Sequence, residues 1–198
     1  MYDFPKTQKK PAGRIASYRS ALLKEKRKFG HVNDGAGKRY LLFSLYFVLN
    51  DLDETADYIA WYDEEFSDDV GEPIQKFCRA LSLRRINHEA AARKMLGEAM
   101  LSNLYLIPRV IGREVAEHDI WHSSSDHHIS YVSYLPDEAI AAITETEMQW
   151  LSQEYDSPEF RQIRDRYLVI FRLLKDTREL DERARLLDES CSLTDALQ

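Results

Sequence analysis

Apolar residues recur along this chain at three- and four-residue intervals almost from end to end, and no segment alternates cleanly with a period of two. That spacing puts side chains on one stripe of an α-helix, so it predicts an all-α protein without a sheet. Read between the Gly, Pro and Asx residues, the periodic stretches predict helices near 14–28, 36–49, 52–66, 73–85, 88–103, 106–119, 137–154, 158–175 and 179–191. Several boundaries carry their own chemistry. Asp51 followed by Glu54 has the form of an N-terminal cap with a reciprocating carboxylate. Pro73, Pro136 and Pro158 stand where a first turn begins, a place where the missing N–H costs nothing. The longest irregular piece is 120–135, which contains Ser123-Ser124-Ser125 and "YVSYLP".

Two stretches share a helix-turn-helix pattern. "LYFVLNDLDETADYIAWYDEEFSDD", from Leu45 to Asp69, has an aromatic first helix, a tight turn at Asn50-Asp51-Leu52 and an amphipathic second helix. Asn50 suits a left-handed turn, and Thr55 and Ala56 are small enough for close helix packing. "LSLRRINHEAAARKMLGEAMLSNLYLIP", from Leu81 to Pro108, repeats the plan with Asn87 at the turn and Ala90, Ala91 and Ala92 at the small positions. These units resemble tetratricopeptide repeats, with the best match over 45–108. The resemblance implies an α-solenoid, a right-handed stack of antiparallel helix pairs, followed here by additional C-terminal helices. One helical hairpin cannot bury its apolar stripe alone, so hairpins stack and share a core. Leu42, Leu45, Tyr46, Leu49, Tyr58, Ile59, Tyr62, Phe66, Phe77, Leu81 and Leu96 are the expected core residues. The domain organisation expected is a basic, partly disordered arm at 1–13 and a single helical domain over 14–198.

Charge changes this picture locally. The net charge is −7, yet residues 1–31 carry nine Lys and Arg against Asp3 and Glu25. Residues 51–72 hold ten carboxylates and no Lys or Arg. A positive tail on a negative body disfavours a polyanion, so nucleic acid is not an expected partner and an acidic surface is a better one. That surface belongs to this chain, to a second copy or to another protein, and self-association through arm and acidic face is one expectation. Cys78 and Cys191 form no C-x-x-C pair and no disulfide framework, which suits a reducing, cytoplasmic setting. The longest apolar run, Tyr40 to Leu49, is too short to span a bilayer, so no membrane association is expected.

The candidate chemistry lies in "EHDIWHSSSDHH", residues 117–128. His118 and His122 stand four apart and would face one side of a helix, with His127 or His128 as a third donor and Asp119 beside them. A divalent metal such as zinc at this cluster would make the chain a metal-dependent hydrolase. His118-Asp119 also matches the dipeptide of the helical HD phosphohydrolases, for which His88 and Asp156 or Asp165 would complete the ligand set. Against this, the Ser-rich loop begins at once after His122, and Asp119 is one methylene shorter than the usual glutamate. "DGAGKR" fails as a phosphate loop because Val32 and Arg39 occupy its required glycine and hydroxyl positions. The expected function is therefore protein binding, without a cofactor, through a helical-repeat groove. Its expected contact residues are Tyr40, Trp61, Arg79, Arg84, Arg85 and Arg93, along with Tyr46 and Lys94.

Overall fold

The computed structural model describes residues 9–197. Among them are ten α-helices and no strand: α1 (Lys9–Phe29), α2 (Lys38–Leu49), α3 (Leu52–Glu65), α4 (Pro73–Arg85), α5 (Glu89–Ser102), α6 (Leu106–Val110), α7 (Asp137–Ala141), α8 (Glu145–Asp156), α9 (Pro158–Asp176) and α10 (Leu180–Ser192). Short 3-10 turns occupy Ser125–His127, Ile129–Tyr134 and Leu193–Ala196. Among the described residues, no helix is long and apolar enough to cross a membrane. Residues 1–8 of the predicted arm lie outside the described residues, whereas 9–13 already belong to α1.

The turns follow the chemistry of their residues. Asn50 and Asn87, at the two predicted turns, have φ of 57° and 62°, the left-handed conformation that Asn tolerates better than most residues. Asp51 Oδ1 accepts from the Glu54 N–H at 3.1 Å. Pro73 and Pro158 begin α4 and α9, and Pro136 sits one residue before α7.

Two predicted helices are shorter than periodicity suggests. The helix expected over 106–119 stops at Val110 because Gly112, at φ 72°, reverses the chain. The Arg113 N–H then returns to the Pro108 carbonyl at 2.8 Å, a glycine-ended C-cap. The helix expected over 137–154 is two helices, because Thr144 starts a new one. Its side chain accepts from the Glu147 N–H while Glu147 bonds back to the Thr144 N–H, the reciprocal cap that Asp51 only half makes.

α4 is the central helix. Pro73, Ile74, Gln75, Phe77, Cys78 and Ala80 to Leu83 are all buried along it, so packing covers this helix on most of its faces although six of its thirteen residues are polar or charged. It packs on α5 and α2, while α1 covers the other side of α2. Every expected core residue is buried, apart from Leu49 and Phe66, which are partly so. Two cations of the basic head meet the acidic segment of the same chain. Lys26 pairs with Glu65, and Arg19 approaches Glu54 at 4.0 Å. α9 lays Phe160, Ile163, Tyr167, Ile170, Phe171 and Leu174 inward against α5, α8 and α10.

Candidate functional site

The histidine segment is not helical. Residues 113–122 run as irregular chain along α9, held where the Trp121 N–H donates to the Phe171 carbonyl at 2.9 Å. His118 and His122 therefore lose their shared helical face. His118 stacks on Tyr105 with ring centroids 5.8 Å apart. Asp119 is exposed and pairs with Lys175. His122, His127 and His128 do meet, but as ring contacts. His122 stacks on His128 at 4.6 Å and stands edge-on to His127 at 6.3 Å. Stacked imidazoles send their lone pairs outward in the ring planes, so they do not aim at one point. Among the described residues, no group of three or more His, Cys, Asp or Glu is placed to hold a metal. The wider ligand set disperses too: His88 lies in the turn before α5, and Asp156 is bound by Arg113.

These histidines have a pH consequence. Burial pushes the protonation of His118, His122 and His127 below the usual imidazole range, and neighbouring positive charge adds to it. The unfolded chain then takes up protons that the folded chain refuses, so stability falls as pH drops below about 6.5. Glu72 acts in the opposite sense. Desolvation, with Asp126 nearby, pushes its carboxyl up to about 7, so its contribution is present at low pH and fades as pH rises towards 7. The two trends oppose each other between pH 5 and 7. Glu72→Gln is expected to expose the histidine trend, giving a urea midpoint that falls more steeply from pH 7 to 5 than in the parent. Parallel profiles would refute the Glu72 assignment.

Six of the expected contact residues, Tyr40, Trp61, Arg79, Arg84, Arg85 and Arg93, have mostly internal partners. Arg84 lies over Trp150 at 4.6 Å and reaches Glu89. Arg93 pairs with Glu154 at 2.8 Å and Glu159 at 3.3 Å, fastening α5 to the α8–α9 corner. Arg85 binds Glu147, three further acceptors and the face of Phe47. Trp61 packs on Tyr58 and Phe66. Tyr40 donates to Asp69 Oδ1 at 2.7 Å. Of the six, Arg79 lines a substantial cleft.

That cleft, about 390 Å³, opens over α4 between α3, α5 and the 66–71 connection. Phe66, Val70 and Met95 supply apolar contacts to its lining, with Val70 79 % exposed. Asp69 fixes the connection. Its carboxylate accepts from Arg39 Nε at 2.6 Å, Tyr40 at 2.7 Å, Tyr62 at 3.0 Å and the Gly71 N–H at 3.2 Å. Burial alone would push this carboxyl up, but those donors outweigh it and hold it below the usual carboxylate range.

Two residues that line the cleft each hold a buried side-chain atom with no hydrogen-bond partner among the described residues, Gln75 Oε1 and Arg79 Nε. Gln75 is only 2 % exposed. The Arg79 guanidinium is held at its other end by Asp63 at 2.7 Å. Sequence periodicity marks neither atom, because Gln75 and Arg79 are two of six polar or charged positions on α4. No protein-family model, curated protein or solved structure matches this chain.

Proposed function

We propose that this chain is a protein-interaction module that holds an extended segment of another polypeptide in the cleft over α4. The observation that carries this reading is an open, partly apolar hollow of about 390 Å³ over α4, whose lining includes Phe66, Val70 and Met95 beside Asp63, Asp69 and Glu98. The resemblance of residues 45–108 to tetratricopeptide units supports the same role, since stacks of such units leave concave walls. The ten carboxylates of 51–72 favour a segment with basic side chains.

The test is selection of random twelve-residue peptides on the immobilised full chain, with Val70→Cys as a thiol reporter at the rim. The reporter is built on Cys191→Ser, because Cys191 is itself exposed and Cys78 is buried. Enriched peptides are expected to be rich in Lys and Arg, to bind more weakly as salt is raised, and to protect the introduced thiol from maleimide. No enrichment, or enriched peptides that leave the thiol fully reactive, would refute the reading.

A further inference from the structure

We propose that the hollow between α2, the start of α4 and the 3-10 turns over 125–134 binds a small organic cation, an amine or guanidinium compound with an apolar body. It shares no lining residue with the cleft over α4, so it stands independently of the peptide-binding reading.

The size is that of a small-molecule site. The hollow measures about 380 Å³, within the range of pockets that enclose such ligands. Leu41, Ile74 and Pro136 line it with carbon, and the rings of Tyr131 and Tyr134, also in its lining, meet edge to face at 5.7 Å. Aromatic walls suit an organic cation, whose charge is drawn to a ring face while its carbon body covers apolar surface. The 3-10 wall is tied down from beneath. Buried Asn103 donates through Nδ2 to the Asp126 carbonyl at 2.6 Å and to the His128 carbonyl at 3.1 Å.

Charge decides the class of ligand. Glu72 and Asp126 line the hollow, and no described Lys, Arg or His does. Both acids are half-buried, and among the described residues neither carboxylate has a hydrogen bond or an ion pair. Asp34, Asp69 and Glu147, by contrast, are each answered by an arginine. A carboxylate taken partly out of water without a partner is costly, and a bound cation supplies the missing charge. The cost is visible at Glu72: desolvation and Asp126 push its carboxyl up to about 7, Asp69 adding to the shift and Arg39 opposing it. Among the described residues, no group of three or more His, Cys, Asp or Glu is placed to hold a metal, which favours an organic cation over a metal ion.

The probes are butylamine, phenethylamine, phenylguanidine and choline. Each is titrated into the full chain beside its neutral counterpart (butanol, phenethyl alcohol, phenylurea and 3,3-dimethylbutanol), with binding followed by amide chemical shifts. At least one cation is expected to bind at millimolar concentration or below, and its neutral counterpart at least tenfold more weakly. A bound cation favours the ionised form of Glu72, so affinity is expected to be roughly tenfold weaker at pH 6 than at pH 8. Protonation of His127, which feels Asp126, acts in the same direction, and Glu72→Gln separates the two. Glu72 makes no side-chain cap on α4, so this variant is expected to fold, to bind about tenfold more weakly at pH 8 and to lose most of the pH dependence. Tyr134→Ala, at a ring 53 % exposed, is expected to weaken binding several-fold. Glu98→Gln, which alters the cleft over α4 and not this hollow, is expected to bind as the parent does. The proposal fails if no probe binds, if the neutral compounds bind as tightly, or if Glu72→Gln keeps the parent's affinity. A loss in Glu98→Gln without one in Glu72→Gln would place the cation in the peptide cleft, overturning this proposal and leaving the peptide-binding reading intact.

Discussion

Arg85→Leu is expected to lower stability by about 3 kcal/mol, which for a chain of this size corresponds to roughly 8 °C in melting temperature. Arg85 joins three parts of the fold at once. Its guanidinium contacts Glu147 at 2.7 and 3.0 Å, the Phe47 carbonyl at 2.8 Å, Asn50 Oδ1 at 3.0 Å and the Ala142 carbonyl at 2.7 Å. It also lies 4.0 Å over the Phe47 ring. Its loss strands a Glu147 carboxylate that is 5 % exposed and leaves the carbonyls closing α2 and α7 without their cation. Most of the cost is the stranded charge rather than the lost attraction. A second substitution, Glu147→Gln, keeps an acceptor for the Thr144 cap while removing that charge. The double variant is therefore expected to be more stable than Arg85→Leu alone, a coupling visible in urea unfolding of all four proteins. A single-variant loss under about 1 kcal/mol, or strictly additive effects, would contradict this account.

Asp69→Asn is expected to cost about 2–3 kcal/mol and to weaken peptide binding as well. Four donors converge on this carboxylate, and one of them, Arg39, is charged. An asparagine offers one oxygen and turns an NH₂ towards donors, so at least one of the four loses its acceptor. The connection over 66–71 then loosens, and with it one wall of the cleft. The neighbouring Asp68 is exposed, so Asp68→Asn is the matched control and is expected to stay within about 0.5 kcal/mol. The pH dependence follows the sign of the shift. A carboxyl held low in the fold contributes stability above its unfolded range and loses it as pH falls, so the parent is expected to lose more stability than the variant on acidification towards pH 3. Equal losses for the Asp68 and Asp69 variants would dismiss the clamp.

How much of this was legible depended on the range of the interaction. The Asn50 and Asn87 turns, the Pro73 and Pro158 starts and the buried stripe of α2 and α4 are local, and short-range rules found them. Gly112 and the Thr144–Glu147 pair were equally local signals that periodicity overrode: a helical pattern continues through a stop when apolar residues lie beyond it. The arginines mark the limit more sharply. Arg79, Arg84, Arg85 and Arg93 look alike along the chain, as cations in or just before the second repeat-like unit. Three of them are taken up by Trp150, Glu147, Glu154 and Glu159, up to 66 residues away. No spacing rule connects such positions.

Periods and caps that span a few residues were enough to establish that this protein is helical, where most of its helices begin, and which residues form its core. Packing was needed to settle which charges are consumed, that His122 stacks on His128 with His127 edge-on, and that Gln75 Oε1 and Arg79 Nε are buried without a hydrogen-bond partner among the described residues. Each of those outcomes depends on which distant side chain arrives to satisfy a group, and nothing in the local pattern brings the two together.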